Sequence, residues 1–280
     1  MKKIVLHITM LLFTWQLFAQ EDGFAFDGSR HEFSVGAGFG HSGLQHERFD
    51  FRFGGNLNFG YAFNINETFA IFSGLELNFF TARWSSPGFT DTILWHNPAF
   101  AQFGDDRMLY VAETNGIRES QRATYLYIPL MVRAQFPIGL DMFYAKGGIK
   151  FGIPIMNSYH GHIGEIRTSG YSFYANQWWI NDPDFGYSTF TDNDLSGRLD
   201  LWFSAALSLE LGYIYRFPRG QIIRFGLFTN FGLNNVLRNP NPHMVTRNPY
   251  YVEVPRIASY TGRFESLRPR TFGIMVRFGL

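Results

Sequence analysis

The chain has 280 residues, enough for one large domain or two small ones. Aromatic side chains make up 19 % of it and charged ones only 17 %, too few charges for an ordinary soluble surface and too many rings for an ordinary core. A formal charge of +1 offers no basic field to nucleic acid, and the absence of cysteine excludes disulfides, thiolate zinc sites, cysteine nucleophiles and a lipid anchor on cysteine.

Residues 1–19 read as a signal peptide: Lys2 and Lys3 form the charged start, Ile4 to Phe18 an apolar stretch, and Ala19 a small residue at a cleavage point. The remainder, 20–280, reads as one domain. No later stretch approaches the ~20 apolar residues that a spanning helix needs, so a membrane could be crossed only with strands.

Period-two alternation then recurs along the chain. Residues 31–40 place Phe33, Val35, Ala37 and Phe39 on one face against Ser34, Gly36, Gly38 and Gly40. In 51–63, Phe51, Phe53, Leu57, Phe59, Tyr61 and Phe63 oppose Arg52, Asn56, Asn58 and small residues. Residues 68–81 set Phe69, Ile71, Leu75, Leu77 and Phe79 against Glu76 and Asn78. Residues 123–136 set Leu126, Ile128, Leu130, Val132 and Phe136 against Tyr125, Tyr127, Arg133 and Gln135. Residues 142–155 set Phe143, Ala145, Ile149, Phe151, Ile153 and Ile155 against Lys146 and Lys150.

Three further segments complete the series. Residues 199–215 oppose Leu201, Phe203, Leu207, Leu209, Leu211, Tyr213 and Tyr215 to Asp200, Ser204, Ser208 and Glu210. Residues 221–233 oppose Ile223, Phe225, Leu227, Phe231 and Leu233 to Arg224 and Asn230. Residues 270–280 oppose Phe272, Ile274, Val276, Phe278 and Leu280 to Thr271 and Arg277. The apolar faces carry no formal charge at bilayer depth, where a Lys or Arg would cost ~2–4 kcal/mol. The expected fold is therefore all-β: an eight-stranded antiparallel transmembrane up-and-down β-barrel in the bacterial outer membrane, with outer-membrane lipid against its apolar faces.

Short links at Asn64–Glu67, Pro137–Leu140 and Pro218–Gly220 alternate with long connections at roughly 41–50, 82–122, 157–198 and 234–269. That is the plan of bacterial barrels, with short turns periplasmic and long loops extracellular. A hairpin hidden near 107–113 would raise the strand count to ten. Aromatics beside the short turns, among them Tyr61, Phe69, Phe143 and Tyr213, suit an interfacial girdle.

Eight strands leave an interior that side chains can fill. The expected lumen charge network comprises Arg52, Glu76, Arg133, Lys146, Lys150, Asp200, Glu210, Arg224 and Arg277, with Glu76 and Glu210 bridging several basic groups. The long loops are aromatic-rich, and Trp84, Trp95, Trp178, Trp179, Tyr250 and Tyr251 are the contact candidates for a protein or glycan partner. Packing of these loops on one another over the barrel mouth is the competing use.

Constellations with catalytic or metal character are weak. His160 and His162 lack further ligands; Asp182–Asp184 and Asp192–Asp194 lack the length and glycine placement of a calcium loop; Asp105–Asp106 is a solvated pair by default. No cofactor, metal or catalytic residue is expected.

The segment YLYIPLMVR at 125–133, followed by YAKGGIKFGIPI at 144–155, resembles the PorT-like, OmpA-like outer-membrane β-barrel family of Bacteroidetes, whose members often carry a YLxIPLxxK strand. Arg133 stands where that family usually has Lys, and the ending Phe18–Ala19–Gln20 of the export segment suits the same phylum. The resemblance implies a cell-envelope barrel, and through the family's named member a link to secretion of cargo across the outer membrane. The reading is thus a non-enzymatic barrel whose loops bind a partner or serve an envelope complex. A small pore and a barrel enzyme acting on lipid or protein at the cell surface are the rivals.

Overall fold

The computed structural model describes residues 30–45, 50–96, 107–138, 141–217, 221–241, 243–246, 255–263 and 266–279. The expected signal peptide, Asp105, Asp106, Tyr250 and Tyr251 lie outside these residues, as do the side chains of Trp95 and Phe51.

Among the described residues twelve strands follow in chain order: β1 (His31–Gln45), β2 (Asp50–Asn64), β3 (Phe69–His96), β4 (Arg107–Ile138), β5 (Asp141–Ser172), β6 (Gln177–Ile180), β7 (Thr189–Gly197), β8 (Ser204–Arg216), β9 (Ile222–Gly232), β10 (Val245–Thr246), β11 (Arg256–Ile257) and β12 (Arg268–Gly279). Eight of them pair antiparallel in the order β4-β3-β2-β1-β12-β9-β8-β5, and β5 pairs back onto β4 to close the ring. Closure leaves the barrel without an edge. The eight predicted strands all lie in this ring, and outward exposure follows the alternation: Val35 and Phe39 are each 60 % exposed and Leu211 64 %. At the β2–β3 link, Asn66 Oδ1 accepts from the amides of Thr68 (2.9 Å) and Phe69 (2.7 Å), an Asx turn that sets the hairpin.

The connections at 82–122 and 157–198 differ from expectation. They are largely continuations of β3, β4 and β5, which run for 28, 32 and 32 residues, whereas a membrane needs only ~9–11 per strand. Residues 107–113 are indeed strand, but as the far end of β4 they add no strand to the ring. We call the projecting part the crown. There β6 and β7 add to the outer edge of β5.

A line of pairing breaks crosses the crown at one level. The β3–β4 register steps from Ser86–Ile117 to Gly88–Asn115. The β4–β5 register steps from Asn115–Glu165 to Ile117–Ile163, and the β5–β7 register from Ile163–Asn193 to Glu165–Thr191. The skipped positions are Pro87, Gly116, Gly164 and Asp192, with Gly116 and Asp192 at φ 68° and 53°. Proline has no amide proton to give the ladder, and the left-handed positions break its regularity. Across this line the buried parity flips, from Ile117 and Glu119 to Thr114 and Ala112 on β4. The crown therefore keeps one buried face while its sequence slips phase.

The expected strand over 199–215 starts only at Ser204. Residues 198–203 leave the ladder, so the alternation cannot be extended back through them. Leu201 is buried and bridges Leu237, while Asp200 is exposed, the reverse of the expected facing.

Candidate functional site: a filled lumen and a folded crown

Among the described residues the lumen holds three carboxylates and five cations in three groups. At the short-turn end, Glu32 takes Arg133 Nη2 at 2.9 Å and Arg224 Nη2 at 2.7 Å, and Arg133 also donates to Asn64 Oδ1 at 2.9 Å. Next, Glu210 pairs with Lys146 at 2.9 Å and with Arg277, and accepts from the Tyr144 hydroxyl at 2.6 Å. Arg277 Nε also donates to Asn58 Oδ1 at 2.9 Å. Finally, Lys150 Nζ donates to both Glu76 oxygens at 2.8 and 2.9 Å, and Asn78 Nδ2 donates to Glu76 at 2.9 Å.

All eight charged side chains are buried. Lys146 and Arg277 share one carboxylate, and the ring of Phe72, a barrel-interior residue, faces both: Lys146 Nζ lies 4.2 Å and the Arg277 guanidinium 5.6 Å from its centroid. The negative ring face supplies part of the missing counter-charge. Further up, Tyr127 donates to Ser204 Oγ at 2.8 Å and Tyr125 to the Trp202 carbonyl at 3.1 Å. Between Asn78, Phe80, Tyr127 and Lys150 there remains a cavity of about 10 Å³, the lower limit for one water molecule.

The expected network thus requires two corrections and one addition. Arg52 is exposed at the mouth, beside the β2–β3 irregularity between Phe51 and Gly55, and makes none of the described ion pairs. Asp200 lies outside the lumen, hydrogen-bonded to Asn239. Glu32 was absent from the expected set, although the parity of Ser34 and Gly36 extends to it.

The crown has a different construction. Its interior is built mainly of apolar side chains, with the buried carboxylates Asp91 and Glu119 set among them, and Leu44, Leu201, Val236, Leu237 and Leu267 close the barrel mouth. The described residues of segment 234–267 fold over the inner face of β3 and β4 through three anchors. Trp84, 3 % exposed, stacks on Tyr260 at 3.6 Å and 10°, so this contact candidate is a core residue rather than a free surface. Asp91, buried, accepts from the Met244 and Val245 amides (2.8 and 3.0 Å) and from Arg263 (2.7 Å).

Glu119 is the third anchor. It accepts from Ser259 Oγ (2.6 Å), the Tyr260 amide (2.8 Å), Thr261 Oγ1 (3.1 Å) and Gln121 Nε2 (2.7 Å), with no cation among these partners. Burial raises its carboxyl above the ordinary carboxylate range, and the hydrogen bonds from 259–261 only partly offset this.

Exposed aromatic side chains cluster at the tip of the crown. Tyr171 packs against Phe173 (5.1 Å, edge-on) and Trp178 (5.2 Å), and the Arg107 guanidinium lies 4.7 Å from the Phe173 centroid. Tyr174 and Trp178 are each 47 % exposed, whereas Trp179 is half-buried against Tyr187. The tip is held firmly. Tyr187 lies flat on Gly170, where a Cβ would come within 2.2 Å of the ring.

The surroundings of His162 are carboxylates on the surface. His162 Nδ1 is 3.1 Å from Asp194 on an exposed surface, and no metal-competent cluster occurs among the described residues. Asp182 precedes a single 3₁₀ turn, Pro183–Phe185, which accounts for the Asp182–Asp184 pair as turn chemistry.

No protein-family model and no curated protein matches the chain. Two solved structures of Ail, the attachment invasion locus protein of Yersinia pestis, are similar. The one in complex with the heparin analogue sucrose octasulfate is 11 % identical, with 90 % of this chain and 99 % of that chain covered and a TM-score of 0.32. The other is 12 % identical at the same coverage, with a TM-score of 0.29. The class, a closed antiparallel eight-stranded β-barrel, rests on the strand register of this chain itself.

Proposed function

We propose that this chain is an integral, non-enzymatic outer-membrane protein: an exported barrel set in lipid by its apolar outer face, carrying an extracellular crown whose aromatic tip binds a protein or glycan. The observation that carries this reading is the reversal of polarity along single strands. Within the ring, β4 turns Ile128, Leu130 and Val132 outward and Arg133 inward; in the crown it turns Arg118 and Arg122 outward and Ile117 inward. Apolar groups face whichever medium is not water.

The tip supports the binding role. It offers exposed aromatic rings on a framework that its own core holds in place, as recognition surfaces do. An accessory role in an envelope or secretion complex, which the PorT-like resemblance implies, would use this same surface. Cross-linking of intact cells tests it: the Y174A/W178A variant should lose a companion that the parent chain captures, and equal capture by both would contradict the assignment.

A filled lumen argues against the small-pore reading, and single-channel recording in planar bilayers should give no steady openings. Among the described residues no assembled site supports the surface-enzyme reading. Lipase and protease activity unchanged by H160A, H162A and D105A would remove it.

A further inference from the structure

Just above the apolar belt, the outer face of β3 and β4 changes character within one turn of the pleat. Leu126 stands in register with Leu77 and Ile153, and Thr124 with Phe79 and Met156; these rows are the last apolar ones. The following outward positions on β4 are Arg122, Ser120 and Arg118, paired with Thr81, Arg83 and Ser85 of β3. Arg83 therefore sits diagonally between Arg118 and Arg122, at the about 7–8 Å spacing of diagonal cross-strand neighbours. All three arginines are exposed. On the other side, β5 sets His160 opposite Ser120.

Three guanidiniums at this spacing repel one another, and none of the ion pairs among the described residues involves them. One acidic register position adjoins them, Asp50 opposite Arg83. The exposed Asp192 and Asp194 face His162. The patch therefore carries a surplus of positive charge, framed by hydroxyls, on the lip of an apolar wall. Arginine forks match phosphate oxygens two at a time, and the long side chains let three forks converge on one anion.

We propose that Arg83, Arg118 and Arg122, with Ser85, Ser120 and His160 beside them, form a binding site for the phosphate groups of outer-leaflet lipid. The inference rests on the membrane reading above. A soluble anion would use only the arginines. An amphiphile with an anionic head also uses the Leu126–Leu77–Ile153 wall below, which fixes where its acyl chains run. That continuity selects lipid as the occupant.

The test uses the full chain folded in neutral detergent micelles, with bis-phosphorylated lipid A, the same lipid dephosphorylated, and inorganic phosphate as separate probes. Retention is read by native mass spectrometry. The parent chain should hold the phosphorylated lipid, and R83Q/R118Q/R122Q should weaken it on the order of a hundredfold, about fivefold per arginine. Arg167→Gln, an exposed arginine already paired with Glu165 at 2.8 Å, should leave retention unchanged.

Equal retention by the triple variant overturns the site, and so does equal retention of the dephosphorylated lipid. Displacement by inorganic phosphate at matched concentration, or tighter binding of a soluble polysulfated glycan, overturns the lipid assignment. If the triple variant does not fold, R118Q and R122Q singly carry the test. Failure of the membrane reading would be distinct, because the parent chain would then fold without micelles.

Discussion

The ring and the crown share three long strands, β3, β4 and β5, yet their faces are written differently. In the ring, charge is inside and hydrocarbon-like side chains are outside; in the crown, Trp84, Ile117, Ile163 and Ile166 are inside and arginines, serines and threonines outside. A strand has no preferred greasy side of its own. Its two faces are written separately for each medium through which it passes. The crown also carries a phase slip, supplied at Pro87, Gly116 and Gly164.

The sharpest way to break this comparison is to remove a lumen carboxylate. E210A leaves Lys146 and Arg277 buried without their shared counter-charge and Tyr144 without its acceptor. The ring should lose about 3–5 kcal/mol, as for other buried pairs stripped of one partner, read by urea unfolding in micelles. The crown's counterpart is W84A, which removes the ring stacked on Tyr260. It should cost the crown about 3 kcal/mol and expose segment 258–263 to hydrogen exchange, with the ring unaffected.

A charge placed outward separates the two media directly. I274R, on the belt, should destabilise by about 2 kcal/mol or more, whereas T92R, on the outer face of the crown, should stay within about 0.5 kcal/mol.

The smallest effect concerns pH. Because burial raises the Glu119 carboxyl in the folded crown, the folded form binds its proton more readily than the open form. The associated stability is present below the unfolded carboxylate pKa and is lost as pH rises through the raised one. Protection of the Tyr260 amide, corrected for intrinsic exchange, should therefore fall between acidic and neutral pH. E119Q should flatten that dependence.

The ring was legible because its unbroken apolar outer face keeps the alternation: all eight strands and the inward positions of Glu76, Lys146, Lys150, Glu210 and Arg277 follow from period two. The crown was not. Its outward faces are merely polar, so 82–122 and 157–198 look like connections, and the slip at Gly116 breaks any single period across β4. Trp84 consequently reads as a loop aromatic although it anchors a core. Asp200 misleads for the converse reason, since its parity with Ser204 continues a strand that has not yet begun. Asp91 and Glu119 carry no local signal at all. Their partners, 244–245 and 259–261, lie more than a hundred residues away.

The most direct measurement is refolding of the purified mature polypeptide with and without lipid, followed by near-ultraviolet circular dichroism and the gel-mobility shift of a folded barrel. Native signals confined to micelles or bilayers are the outcome that follows from a hydrocarbon-facing belt. A water-soluble monomer with the same signals in plain buffer would mean that the exposed apolar faces have some other partner, and the account would be wrong.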